Sequence, residues 1–302
     1  FFIFLVANIG GSLTPLGDPP LFLGFLKGVS FFWTTSAMLM PMIMVVCYLI
    51  IIYFLMDSYY YKKEDLPLTS PQEDGKDQKL GLEGSFNLLL LLGVISSVLL
   101  SGFWRPHIHY TVYHVPIELQ NLTRDILLLL LTFVSWKVTP RQIRQANEYT
   151  WFPIVEVAKL FAGIFITIIP AIAILKAGAS GALAGIIQSV SNDSGPVNYM
   201  YFWLTGILSS FLDNAPTYLV FFNTAGGDPV MLMGKYYDTL LAISAGAVFM
   251  GANTYIGNAP NFMVKSISES AGIDMPSFFG FLVKYSLPIL TPIFILVSLV
   301  FF

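Results

Sequence analysis

Charge is what this sequence has least of. Asp, Glu, Lys and Arg make up 11% of its 302 residues, against about 25% in an ordinary soluble domain. A net charge of −3 leaves no basic surface for nucleic acid. One cysteine, Cys47, excludes an internal disulfide framework. Histidine is nearly as scarce. His107, His109 and His114 stand close together but without a cysteine beside them, a weak basis for a zinc site. No nucleotide-binding loop, haem motif or hydrolytic triad is visible, so neither an enzyme nor an ATP-driven pump is expected.

Apolar residues take the place of the missing charge. They make up 56% of the chain, with 26 Phe. They fall in runs of about 20 residues, the length of a bilayer-spanning helix. The expected class is an all-α integral membrane protein. Spans are read at 31–56, 85–101, 121–137, 151–176 and 276–302. A short interfacial segment is read at 178–190, and solvated loops at 57–84, 102–120 and 138–150. Lys62, Lys63, Lys76, Lys79, Lys137, Arg141 and Arg144 lie in or beside the first and third of these loops. The positive-inside rule therefore places the loops 57–84 and 138–150 in the cytoplasm.

Three segments refuse to continue as helices. Residues 9–20 (IGGSLTPLGDPP) and 251–261 (GANTYIGNAPN) are too rich in Gly, Pro and Asn. The apolar stretch 199–225 is interrupted at Asp213-Asn214-Ala215-Pro216 and reads as a re-entrant hairpin with its tip at depth. The second break splits a helix over 236–272.

The two breaks resemble each other. At a shift of 240 residues, Gly11 falls on Gly251, Thr14 on Thr254, Gly17 on Gly257 and Pro20 on Pro260. Composition alone predicts roughly one identity in fifteen positions. Further on, Ser30-Phe31-Phe32 matches Ser277-Phe278-Phe279 and Pro41 matches Pro288, now at a shift of 247. The charge-based orientation makes the copies run in opposite directions. Such an inverted repeat with matching interrupted helices points to a transporter's binding site. The organisation expected is 1–56 as the second half of repeat 1, 57–84 as a linker, and 85–302 as repeat 2. The first copy lacks the span and hairpin that precede the break in the second. On the order of 90 further residues are therefore expected ahead of Phe1.

In hydrocarbon, irregular backbone survives only where protein buries it or a cavity is lined by it. Two breaks and a hairpin tip at one depth predict a shared polar cavity. Carbonyls and hydroxyls there suit a hard cation such as Na⁺, and half-helix N-termini suit an anion. The candidate ligands are Ser12, Thr14 and Asp18 in the first break, and Ser209, Ser210, Asp213, Asn214 and Thr217 in the hairpin. The second break offers Asn253, Thr254, Asn258 and Asn261, with Gly257 among them. Some of these side chains could instead only cap helix ends. Three acids lie at membrane depth, Asp18, Asp213 and Glu156, and such acids mark ion or proton pathways. Lys159 shares a helical face with Glu156, as a buried ion pair or a proton relay.

The segments ANIGGSLTPLGDPPLFLGFL, WFPIVEVAKLFAGIFITIIPA, WLTGILSSFLDNAPTYLVFFN and GANTYIGNAPNFMVKSI resemble the ion transporter superfamily. Within it they are most similar to the bacterial sodium/proton antiporter branch with citrate-transporter-like members. The resemblance implies a homodimeric, elevator-type secondary transporter in a bacterial inner membrane. It also implies two Na⁺ sites built from hairpin tips and broken helices. Carried over, Ser210, Asp213, Asn214 and Thr217 match a hairpin tip, and Ser12, Thr14, Gly17 and Asp18 the first broken helix. Asn253, Thr254 and Asn258 match the second. The extra acid, Asp213, favours Na⁺/H⁺ antiport over Na⁺-coupled citrate or dicarboxylate symport, because it would repel an anion. A non-transporting membrane subunit of a larger complex and an arsenite-type permease are the remaining alternatives.

Overall fold

A computed structural model describes the chain except for residues 64–80, 82, 105, 107, 113–114, 148, 153, 156–157, 160–161, 164–165, 167–169, 171–172, 174–176, 178–179, 182–183 and 193–194. The protein is an all-α membrane protein. Among the described residues three helices are long and apolar enough to cross a bilayer: Phe31–Tyr61, Phe86–Phe103 and Phe278–Phe301. The residues form two compact units, 1–63 with 151–302, and 64–150.

The first unit opens with α1 (Phe2–Leu5), a 3-10 turn (Ile9–Leu13) and α2 (Pro19–Lys27). Two prolines start α2, where their missing N–H groups cost nothing. Gly28, at φ 110°, ends it in the left-handed region that favours glycine. The long span α3 (Phe31–Tyr61) follows. It runs past the expected end at 56, because Tyr59, Tyr60 and Tyr61 continue the helix on exposed ground. Cys47 lies on its exposed side.

The second unit is an antiparallel helix pair, α4 (Phe86–Phe103) and α5 (Leu119–Val138), followed by the short α6 (Arg141–Ala146). Asn87, at the start of α4, ties down the end of α5. Its Nδ2 donates to Thr139 Oγ1 at 2.9 Å, and its Oδ1 accepts from Ser135 Oγ at 2.8 Å. Leu88, Leu89, Leu91, Leu92, Leu129 and Phe133 are exposed along the pair. Helices so apolar on the outside suit lipid. The expected loop 102–120 is not irregular throughout. Strands His109–Val112 and Val115–Glu118 pair antiparallel, with His109 opposite Glu118, as their β-branched and aromatic residues favour.

Back in the first unit, α7 (Ala184–Ser189) lies within the segment expected at the interface. Then come α8 (Asn198–Phe211), α9 (Asn214–Thr224) and the short α10 (Pro229–Met233). They lead to α11 (Tyr237–Met250), a 3-10 turn (Gly251–Asn253), α12 (Ala259–Ser270) and the span α13 (Phe278–Phe301). At 14 and 11 residues, α8 and α9 span about 21 and 16 Å. Both are too short to cross a hydrocarbon core of about 30 Å. The helix is interrupted at Leu212-Asp213, between Phe211 and Asn214.

The core of this unit is α11, buried from Thr239 to Met250. Its small residues let α8 come close: a Cβ on Gly246 would strike the Phe202 carbonyl, and one on Gly206 the Met250 side chain. Span α13 winds as a π-helix over Leu282–Ser286. Pro288 follows two residues later; it offers no N–H to the Lys284 carbonyl, and such a gap invites a wider turn.

Candidate functional site

The two breaks take the same path. Each follows a 3-10 turn. Thr14 and Thr254 then turn extended, at φ/ψ −140°/151° and −136°/168°. Asp18 and Asn258 hold the N-cap positions of the next helices at −151°/138° and −154°/140°. The glycine spacing repeated in the two breaks has a steric reason. A Cβ on Gly17 would strike the Gly11 carbonyl, and one on Gly257 the Gly251 carbonyl. Only two bare backbones can pass each other at that distance.

Asp18 and Asn258 occupy cap positions without capping. A capping side chain accepts from the N–H of the second or third helical residue. Pro20 and Pro260 fill the second position in the two helices and have no N–H. Asp213 is the contrast. It precedes α9, where Ala215 supplies the missing donor, and its Oδ1 accepts from that N–H at 3.1 Å.

The freed side chains meet. Asp18, 2% exposed, accepts at Oδ1 from Asn214 Nδ2 at 2.9 Å and from Asn258 Nδ2 at 3.2 Å. The first break, the hairpin tip and the second break are thus joined at one carboxylate oxygen. Asn258 Nδ2 also donates to Asn8 Oδ1 at 3.1 Å. The Asn214 N–H donates to the Gly257 carbonyl at 3.2 Å. Three oxygens of this cluster are buried with no donor among the described residues: Asp18 Oδ2, Asn214 Oδ1 and Asn258 Oδ1. Leaving buried oxygens unpaired costs about 1–3 kcal/mol each. The arrangement is rich in acceptors and contains one carboxyl group, which suits a small hard cation.

The remaining candidates serve the backbone. Ser12 Oγ donates to the Ile9 carbonyl at 2.7 Å, and Ser209 Oγ to the Ala247 carbonyl at 2.7 Å. Ser210 Oγ donates to the Met250 carbonyl at 2.9 Å and accepts from Asn253 Nδ2 at 2.9 Å. Thr254 Oγ1 donates to the Ser210 carbonyl at 2.5 Å and accepts from the Gly257 N–H at 3.1 Å. Thr217 Oγ1 donates to the Asp213 carbonyl at 3.0 Å. Thr14 is half-buried, and its carbonyl accepts from the Gly17 N–H at 3.0 Å. Asn261 Nδ2 donates to the Gly251 and Thr254 carbonyls, each at 2.8 Å.

Lys159 is exposed, and Glu156 lies outside the described residues, as do His107 and His114. No group of three or more His, Cys, Asp or Glu that could hold a metal occurs among the described residues. Asn8, buried at the centre of the network, was not among the sequence candidates. An amide inside the apolar run FFIFLVANIGG is the signal that could have found it.

No curated protein and no solved structure gives a significant match to the chain. A family model described as "Putative citrate transport" matches residues 1–302, so the chain belongs to that citrate-transporter-like family and is an integral membrane transporter.

Proposed function

We propose that the protein is a secondary transporter that exchanges Na⁺ for H⁺. The observation that carries this reading is the buried Asp18–Asn214–Asn258 cluster with its three unpartnered oxygens. An oxygen-only donor set with one carboxylate fits Na⁺, which takes hard ligands and has no use for nitrogen or sulfur. Asp18 would be neutralised by Na⁺ on one stroke and by a proton on the other. Exchange follows if the two cannot bind together. In this reading Asp213 secures the hairpin tip, and Asp18 carries the exchanged charge. Glu156 and Lys159 remain candidates for a proton relay.

The family description favours a second reading, Na⁺-coupled citrate symport. Citrate is polyanionic, yet no Lys, Arg or His is buried among the described residues. An anion held near Asp18 would therefore depend on bound Na⁺ for its counter-charge. We further propose an elevator mechanism in a homodimer, with the loops 57–84 and 138–150 in the cytoplasm of a bacterial inner membrane. In its support, every residue of the cluster belongs to the first unit, which could travel as one body.

The test is Na⁺/H⁺ exchange in proteoliposomes, comparing wild type with Asp18→Asn. Wild type should acidify or alkalinise the lumen in response to a Na⁺ gradient without citrate, and Asp18→Asn should abolish this. Exchange that survives the substitution unchanged overturns the role of Asp18. Na⁺ uptake that appears only when citrate is added selects the symport reading.

A further inference from the structure

Asn8 comes from the stretch ahead of the first break, yet its side chain is fully buried among residues of the second break. Its Nδ2 donates to the Ile3 carbonyl at 2.7 Å and to Asn261 Oδ1 at 2.6 Å. Its Oδ1 accepts from Asn258 Nδ2 at 3.1 Å. An amide can be turned end for end with little change in shape, so the direction of each bond needs an independent reason.

Backbone carbonyls give that reason, because they can only accept. Asn261 faces two of them, Gly251 and Thr254. Both of its amide hydrogens are committed there, so it offers its oxygen to Asn8. Asn8 must then present Nδ2 to Asn261, and the Ile3 carbonyl takes its second hydrogen. What Asn8 has left for Asn258 is Oδ1, an acceptor. Asn258 must answer with Nδ2, and this same nitrogen also reaches Asp18 Oδ1 at 3.2 Å and the Ala7 carbonyl at 3.4 Å, two further acceptors that hold the amide the same way round. Its own Oδ1 is thereby left as one of the cluster's unpartnered oxygens.

We infer that Asn8 is a positioning residue for the cation site: it relays the polarity of the second break's carbonyls to Asn258 and, through the shortest of that nitrogen's three contacts, joins Asp18 and the Ala7 carbonyl in holding the amide oxygen toward the ion. The inference rests on the cation reading above. If Asn258 reversed, it would place an NH₂ where an oxygen is needed, and would turn an oxygen toward the Asp18 carboxylate.

Two substitutions separate this role from packing. Asn8→Leu has nearly the same size but no acceptor. Asn8→Asp keeps an acceptor for Asn258 whether it is charged or protonated, while losing a donor and adding a buried ionisable group. The readout is the thermal unfolding temperature of the full-length protein in detergent, titrated with NaCl against KCl at constant ionic strength. Asn8→Leu should weaken the apparent Na⁺ affinity about 10-fold, the worth of one hydrogen bond. Asn8→Asp should hold wild-type Na⁺ affinity within about threefold, while its unfolding temperature without Na⁺ falls furthest. If Asn8→Leu yields no folded protein, Asn8→Ala carries the same expectation. Wild-type Na⁺ affinity in the Leu or Ala variant overturns the relay. So does an affinity that merely follows stability across the series. Absence of Na⁺-dependent stabilisation in wild type instead sinks the cation reading, and the relay with it.

Discussion

Gly257→Ala and Gly17→Ala form a matched pair, one in each break. In both cases the new methyl meets backbone rather than a movable side chain. On Gly257 it strikes the Gly251 carbonyl oxygen and lies 3.0 Å from the Ser209 carbonyl. On Gly17 it strikes the Gly11 carbonyl oxygen. Carbonyls cannot rotate away as a rotamer can, so the break itself must open. Overpacking of this kind costs about 1–3 kcal/mol. At Gly257 the displacement also moves the carbonyl that holds the Asn214 N–H, so the cluster at Asp18 loosens with it. A control is Gly185→Ala in α7, where an added Cβ meets nothing within 4 Å. There alanine should stabilise, by up to about 1 kcal/mol. Thermal unfolding in detergent, read by tryptophan fluorescence, ranks the three. Both break variants should unfold below wild type and Gly185→Ala at or above it. Na⁺ should also raise the unfolding temperature of Gly257→Ala less than that of wild type. Break variants as stable as wild type, and as responsive to Na⁺, would refute the close-approach account of the repeated glycines.

Two further substitutions test the division of labour among the polar residues. Asp213→Asn should leave ion exchange close to wild type, because Asn caps a helix about as well as Asp; abolished exchange in proteoliposomes would return the proton-carrying role to Asp213. Thr254→Val keeps the shape but removes the hydroxyl that accepts from the buried Gly257 N–H. It should cost about 1–3 kcal/mol in a denaturation midpoint measurement, and an unshifted midpoint would contradict that bond.

Much of the fold was legible because membrane physics leaves few options. Runs such as FNLLLLLGVISSVLLSGF can only be spans, and GANTYIGNAPN cannot continue a helix. The matched glycines announced that the two breaks share one backbone path, and their dihedral angles agree closely. The sequence was less informative about partners. It ranked Asp213 beside Asp18 because both are acids at depth, and only the hydrogen bonds show that one caps while the other does not. Asn8 escaped notice because it lies outside the break and has no counterpart in the second copy, where the shift of 240 lands on Val248. Its role arises from a contact 253 residues away, and no local pattern encodes that. The β-hairpin at 109–118 was hidden by its short strands, whose proline and histidine read as loop.

One rule in the local chemistry could have separated the acids in advance, and it leads to the sharpest test of the site. Asp18 stands in extended backbone at the start of α2, the geometry of a capping residue. It remains available to Asn214 and Asn258: Pro20 has no N–H to offer at the second helical position, and Asp18 takes no capping bond from Leu21 at the third. Pro20→Ala supplies the missing N–H. A capping bond is worth about 1 kcal/mol, enough to compete for the carboxylate and lower its apparent affinity for Na⁺ by about fivefold. Pro19→Ala is the control, since it adds an N–H at the first helical position, which capping side chains do not use. The measurement is the Na⁺ concentration that half-saturates exchange in proteoliposomes. That concentration should rise in Pro20→Ala and stay unchanged in Pro19→Ala. If both variants keep the wild-type value, proline is not what frees Asp18, and the coincidence of Pro20 with Pro260 needs another cause. If Pro20→Ala alone shifts, the same reasoning extends to Pro260 and Asn258, and the repeated proline becomes part of how this chain builds its ion site.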